Sequence, residues 1–184
     1  MIIVKKVLVL MADGCEEIEL VTIIDILRRS ATRVTVAGLN GDPVTGSRRI
    51  KFLPDESLAH LHEKDFDAII FPGGGLGVDK LRADQRVLEF VRKMDERGAL
   101  IGAICAAPLI LQDAGIIRGR RLTSYPGFEK KLQGCHYSKQ SVVVDGNLVT
   151  SRAPGTAMAF ALKLVEILVG KKRSREVAKL ALVG

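Results

Sequence analysis

Cys105 is the residue whose neighbours best prepare it for chemistry. An apolar run, Ala99–Ile104, leads into it, and a helix-forming stretch, Ala106–Leu111, leads away. A buried strand that turns at once into a helix leaves its last residue at the helix N-terminus. Unpaired N–H groups and the positive end of the helix dipole favour an anion there. A thiol in that place is expected to ionise more easily than usual and to act as a nucleophile or a redox centre. The same pattern also suits a small hydrophobe closing a core strand. Local sequence leaves both readings open.

Three acids, Glu16, Glu17 and Glu19, open a helix predicted over Glu16–Arg29. Negative charge in a first helical turn complements the dipole, which is the plain reading. Glu16 and Glu19 share a helix face. A carboxyl turned from that face into an apolar site would have a raised pKa. Beside a thiolate it could donate a hydrogen bond and later pass on a proton. The run Gly73-Gly74-Gly75-Leu76-Gly77 lacks GxGxxG spacing, because Val78 stands where the third glycine would be, and it lacks GxxxxGK[ST]. It supports neither a dinucleotide nor a nucleoside triphosphate. It suits either a tight turn or a close backbone approach to Cys105, with N–H groups aimed at an oxyanion.

The histidines are His60, His62 and His136, and none adjoins Cys105 in sequence. A cysteine peptidase pairs its nucleophile with a histidine, and His136 reads as a surface residue. Cys15 and Cys135 lack the strand-to-helix context. Cys15 lies in the same mouth as Glu19 and reads as a buried spectator or a resolving thiol. Three widely spaced cysteines form no metal pattern and no disulfide framework. They suit a reducing, cytoplasmic setting. No cofactor and no metal is expected.

The elements that must position these residues alternate. Strands are predicted over Val4–Met11, Arg33–Ala37, Asp67–Phe71, Ala99–Ile104, Arg121–Ser124, Ser141–Val144 and Leu148–Ser151. Helices are predicted over Glu16–Arg29, Gln85–Arg97, Ala107–Ala114, from Pro154 to Leu168, and over Arg173–Leu180. The apolar start Met1–Leu10, broken by Lys5 and Lys6, reads as a first strand and not as a signal peptide. Alternating strands and helices imply right-handed βαβ units and a mainly parallel sheet. Ligands bind such sheets beyond the carboxyl ends of the strands, where strand order reverses. The loops after Met11, Phe71 and Ile104 should therefore converge. One domain spanning 1–184 is expected.

Net charge is +7, with basic clusters at Arg28-Arg29, Arg48-Arg49, Arg118–Arg121 and Lys171–Arg173. The chain has six Phe, two Tyr and no Trp, so no stacking platform for single-stranded nucleic acid is visible. Solvated surface is the default reading, and a nucleic-acid partner is the weaker one. No apolar run reaches the length of a membrane-spanning helix. No membrane partner is expected.

Four segments, Ala12–Glu19, Phe71–Gly74, Ala103–Pro108 and Thr150–Thr156, together resemble the ThiJ/PfpI superfamily and, within it, the DJ-one branch. The resemblance runs from about Val4 to Gly170. It implies an α/β, flavodoxin-like, doubly wound sheet sandwiched by helices, of the class I glutamine amidotransferase kind, and a homodimer. It implies that Cys105 is the reactive cysteine, with Glu19 as the carboxyl that hydrogen-bonds it and Gly74 and Ala106 as backbone N–H donors. Arg29 and Arg48 match basic residues near the pocket and the dimer interface, and Pro154 matches a pocket wall. Tyr125 stands where many members carry a histidine. Ala106 stands where peptidase-like members carry another, which argues against peptidase action. The implied function is a cofactor-free, cysteine-dependent glyoxalase or deglycase acting on methylglyoxal, glyoxal or their adducts on proteins. The alternative is a redox-sensing stress protein or chaperone switched by oxidation of Cys105.

Overall fold

The computed structural model describes residues 4–183. Met1–Ile3 of the apolar start and Gly184, and with them the expected domain limits, lie outside the described residues. The first strand, β1 (Lys6–Leu10), shows how the sandwich is built. Side chains alternate across a strand. Val7, Val9 and Met11 enter one core, while Leu8, Leu10 and Ala12 enter another on the opposite face. Both faces of the strand are therefore dry, as a parallel sheet covered by helices on both sides requires.

In chain order there follow α1 (Glu17–Arg29), β2 (Arg33–Gly38), β3 (Val44–Thr45), β4 (Lys51–Phe52), β5 (Glu56–Ser57), β6 (Ala68–Phe71), α2 (Gly75–Ala83), α3 (Gln85–Glu96), β7 (Leu100–Ile104) and α4 (Pro108–Ala114). The remainder is β8 (Arg121–Leu122), β9 (His136–Tyr137), β10 (Val142–Asp145), β11 (Leu148–Ser151), α5 (Ala157–Val169) and α6 (Lys171–Leu180). The main sheet runs β10-β11-β7-β6-β1-β2-β5. Its pairs are parallel except the β10–β11 hairpin, turned at Gly146. Helices α1, α5 and α6 cover one face, and α2, α3 and α4 cover the other. The chain leaves β1 toward β2 and then returns on the other side through β6 and β7. The reversal of strand order thus falls beside β1, where the three expected loops do meet.

Several sequence readings change. The glycine run is only partly a loop, because α2 begins inside it at Gly75. Gly74 caps that helix at φ +93°, a conformation that favours glycine. The strand expected over Arg121–Ser124 shortens to β8, which pairs with β9 outside the main sheet. The helix expected from Pro154 opens with one 3₁₀ turn, Pro154–Thr156. Most consequential for the site, α4 starts at Pro108, so the turn Cys105–Ala107 separates the thiol from the helix.

Phe160 of α5 is fully buried and lies against the sheet at Gly102 of β7. A side chain built at Gly102 would meet the Phe160 ring at 3.1 Å and Ile70 Cδ1 at 2.8 Å. Helix and sheet meet here with no space to spare. Phe160→Ala should cost about 3–5 kcal/mol of unfolding free energy. The check is a urea titration, in which the midpoint falls while the slope is unchanged.

Candidate active site

Cys105 occupies a strained elbow at the carboxyl end of β7, with φ +64°. For a residue bearing a side chain this left-handed conformation persists only where the surroundings over-determine it. They do so on both sides. The Cys105 N–H donates to the Ser151 carbonyl at 3.0 Å, and its own carbonyl accepts the Tyr125 N–H at 2.9 Å. The Ala107 N–H closes the turn onto the Ile104 carbonyl at 3.0 Å. The elbow lifts the half-buried thiol off the sheet edge.

Glu19 comes from the first turn of α1 and is completely buried. Its Oε2 accepts the Gly73 N–H at 2.6 Å. Its Oε1 has no hydrogen-bond partner among the described residues. Gly73, at the end of β6, separates the two groups. A Cβ built there would sit 2.5 Å from Cys105 Cβ, 2.7 Å from Glu19 Oε2 and 3.1 Å from Cys105 Sγ. Glycine is therefore obligatory at 73, and the loops after β1, β6 and β7 close on one another at this residue. The Glu16 N–H, donating to the Gly73 carbonyl at 3.0 Å, fixes the first of these loops to the second.

The electrostatics correct the expectation of an easily ionised thiol. Burial, then the Glu19 charge, push the Cys105 thiol up to about 12. The N–H groups of Gly74 and Ala106 bond the sulfur and act in the opposite sense, without prevailing. Helix α4 is short and begins three residues beyond the sulfur, so its dipole acts on the thiol from farther away than a helix starting at Cys105 would. Burial also raises Glu19, to about 7, against the opposing hydrogen bonds from Gly73 and Cys105. The pocket therefore tolerates one negative charge far better than two.

The remaining expected residues separate into two groups. Tyr125 stays near the elbow through its backbone, with its side chain 44% exposed and its ring edge-on to Phe128. Pro154 begins the turn just after Ser151, the residue that holds the Cys105 N–H. Arg48 lies on the loop between β3 and β4, where its N–H donates to the Glu17 carboxylate. Arg29 does not join the pocket of its own chain. It sits ten residues beyond Glu19 on α1, about 15 Å along the axis, paired with Asp25 at 2.6 Å. His60, His62 and His136 are exposed. Cys15 is buried, and burial with the Glu17 charge pushes its thiol up to about 12.

Sequence reasoning missed the clamp formed by Glu17. This buried carboxylate accepts the Ser47 Oγ at 2.9 Å and the Arg48 N–H, and Gly46 packs against it with no room for a Cβ. Burial works against its charge, but the hydrogen bonds hold its pKa below the usual range. The contact joins residues about thirty apart, and only Glu17's place in a first helical turn hinted at it.

Glu19 binds its proton more tightly in the folded chain than in the unfolded one. The stability tied to that proton is present below the ordinary value of 4.5 and is lost as pH rises through about 7. Glu19→Gln should therefore melt near the wild-type temperature at pH 4 and above it at pH 8. Calorimetry at the two pH values checks this.

The sequence model of the DJ-1/PfpI family matches residues 5–167. Protein dj-1beta of Drosophila melanogaster is 45% identical over 182 residues, covering 97% of each chain. Its crystal structure superposes with a TM-score of 0.96 over 99% of this chain and 100% of that one. A Caenorhabditis elegans protein named glutathione-independent glyoxalase DJR-1.2 is 36% identical over 177 residues, 95% of each chain. A structure titled Toxoplasma gondii DJ-1, oxidized, matches with a TM-score of 0.92 at 35% identity, over 97% of this chain and 98% of that one. With the family pattern running through nearly the whole sequence and the same sheet beneath it, this chain belongs to the DJ-1/PfpI family.

Proposed function

We propose that the protein is a cofactor-free glyoxalase or deglycase acting on methylglyoxal, glyoxal and their adducts. The observation that carries this reading is Glu19, a fully buried carboxyl whose pKa lies near neutrality, set across Gly73 from an elbow cysteine. A general base works best when its pKa is close to the operating pH. The full-length likeness to the worm glyoxalase supports the same class of reaction.

In this reading, Cys105 stays a neutral thiol until substrate arrives. Its sulfur attacks the aldehyde carbon, and the Glu19 carboxylate takes the thiol proton as the C–S bond forms. The Gly74 and Ala106 N–H groups, which face the sulfur, hold the negative charge as it passes to the alkoxide. Protonation of the alkoxide gives a hemithioacetal. A proton then leaves the former aldehyde carbon and another adds to the neighbouring ketone carbon. One carbon is oxidised and the other reduced, so no external oxidant is needed. Water cleaves the resulting thioester, releasing lactate and restoring the thiol. In a glycated amine or thiol, the Cys105 sulfur replaces the modified group at the same carbon as the bond to that group breaks. The thiol proton, carried by Glu19, leaves with the freed amine or thiol, and the resulting hemithioacetal is isomerised and hydrolysed as above. Tyr125, Arg48 and Pro154 are proposed to border the entrance. The exposed Tyr125 supplies no imidazole, so proton transfer rests on Glu19 and water.

We also propose a homodimer. Ile18 and Val21 of α1 are 58% and 50% exposed on one helix face, and Ile50 is exposed beside Glu17. An apolar face of this kind on a small domain suits a second copy of the chain. The oxidised relative supports a second reading of the same thiol. Peroxide would convert Cys105 to the sulfenic and then the sulfinic acid, releasing one water at each step.

Methylglyoxal should give lactate with the wild type and none above background with Cys105→Ser, measured by product chromatography. Turnover should fall as pH drops below about 7, when Glu19 gains its proton. Glu19→Gln should remove that inflection and slow turnover by about 100-fold or more. Equal rates in wild type and Cys105→Ser would defeat the enzymatic reading. For the dimer, light scattering should report two chains for the wild type and one for Val21→Arg.

A further inference from the structure

Chemistry at Cys105 leaves the net charge of +7 without a role. A concentrated part of it lies on α6, where Lys171, Lys172, Arg173, Arg175 and Lys179 stand against one acid, Glu176. Ser174 and Val177 turn inward and are buried. Lys172, Arg175 and Lys179, spaced three and four residues apart, share the outward face and are exposed. Glu176 is taken by Arg173 at 3.1 Å, and Glu166 by Lys163 at 2.8 Å. The three outward cations make no ion pair within 4.0 Å among the described residues.

On the adjoining face, in line with Arg173 and Glu176, Leu180 is 72% exposed, and Leu182, just past the helix end, is 92% exposed. With Arg173, Glu176 and Lys179 they border an open groove of about 610 Å³. The helix begins beside the far end of α1, where Arg173 donates to the Arg29 carbonyl at 2.6 Å. Glu19 stands at the other end of α1, so α6 starts at the end of the sandwich away from Cys105.

We infer that α6 docks this protein on an anionic lipid bilayer. Lys172, Arg175 and Lys179 meet the headgroups, and Leu180 and Leu182 enter the boundary with the acyl chains. The two leucines decide between anionic partners. A bilayer offers apolar depth beneath its charge. A nucleic-acid strand offers bases that stack on aromatic rings, and no aromatic residue follows Phe160 in this sequence. Among the described residues no helix is long and apolar enough to cross a membrane. A helix lying on the surface needs no such span, so the expectation of no membrane partner narrows to no spanning helix.

The test is sedimentation of the full chain with phosphatidylcholine vesicles, prepared with and without phosphatidylserine. Binding is expected only with phosphatidylserine and should weaken as salt is raised. Lys179→Ala should lower the partition coefficient roughly fivefold. Leu180→Ser combined with Leu182→Ser should lower it further at unchanged charge. Each variant should keep the wild-type circular dichroism spectrum and Cys105 alkylation rate, which separates docking from folding and from the chemistry above. Three outcomes would overturn the inference. They are no phosphatidylserine-dependent sedimentation, full binding by the combined Lys172→Glu, Arg175→Glu and Lys179→Glu variant, or tighter binding of a single-stranded oligonucleotide that ignores the leucine changes.

Discussion

A carboxyl group deprived of water, one residue's width from a thiol, governs this molecule. Glu19 has no exposed surface, and only the Gly73 N–H, at 2.6 Å, and the Cys105 thiol hydrogen-bond it among the described residues. Burial of a charge is expensive unless it is paired, and among the described residues no cation bonds this one. The proton thus stays on Glu19 up to about neutral pH. The same shortage of water keeps the Cys105 proton on sulfur while Glu19 is charged. Each group sets the other's ionisation, and the pair can pass one proton between its members and a substrate.

The scaffold exists to hold that pair. Strands β7, β6 and β1 are neighbours, and their carboxyl ends deliver Cys105, Gly73 and the loop that leads to Glu19. An elbow at φ +64° stores about 1–3 kcal/mol of strain. Hydrogen bonds to Ser151 and Tyr125 on either side keep it from relaxing. These contacts tie the elbow to β11 and to the segment after β8, so distant parts of the chain stabilise a conformation that Cys105 would not adopt alone. Gly73 completes the arrangement by having no side chain. At this one point, the absence of a Cβ is as much a functional feature as the thiol.

Much of this was legible in the amino-acid order. Val7 to Ala12 and Ile69 to Phe71 are continuous apolar runs, which is how strands buried on both faces read. The end of an apolar strand at Cys105, the acids opening α1 and the glycines after β6 marked the converging loops, although the helix expected to start directly after Cys105 begins only after a turn. Other features depended on tertiary context. Whether a thiol at such a turn is acidic is settled by the balance of N–H donors against burial and a nearby carboxylate. Only the first of these was suggested locally. The start of α2 within a glycine run was hidden because its cap is a backbone conformation and not a side chain. Strand β9 is two residues long, and no pattern of period two can be seen in two residues. Arg29 was placed by resemblance, and the length of α1 carries it away from the pocket of its own chain. The clamp of Glu17 on Ser47 and Arg48 is a long-range contact with no local signal.

The most direct test of the account is the protonation of Glu19 itself. Carbon-13 NMR of the labelled Glu19 carboxyl, assigned by its loss in Glu19→Gln, can be followed from pH 4 to pH 9 in the wild type. The account predicts a titration midpoint near 7, set by burial and held by the Gly73 hydrogen bond. A midpoint at the ordinary carboxylate value of about 4.5 would contradict it. Glu19 would then be a well-solvated anion, and the pair could not exchange a proton at neutral pH as described.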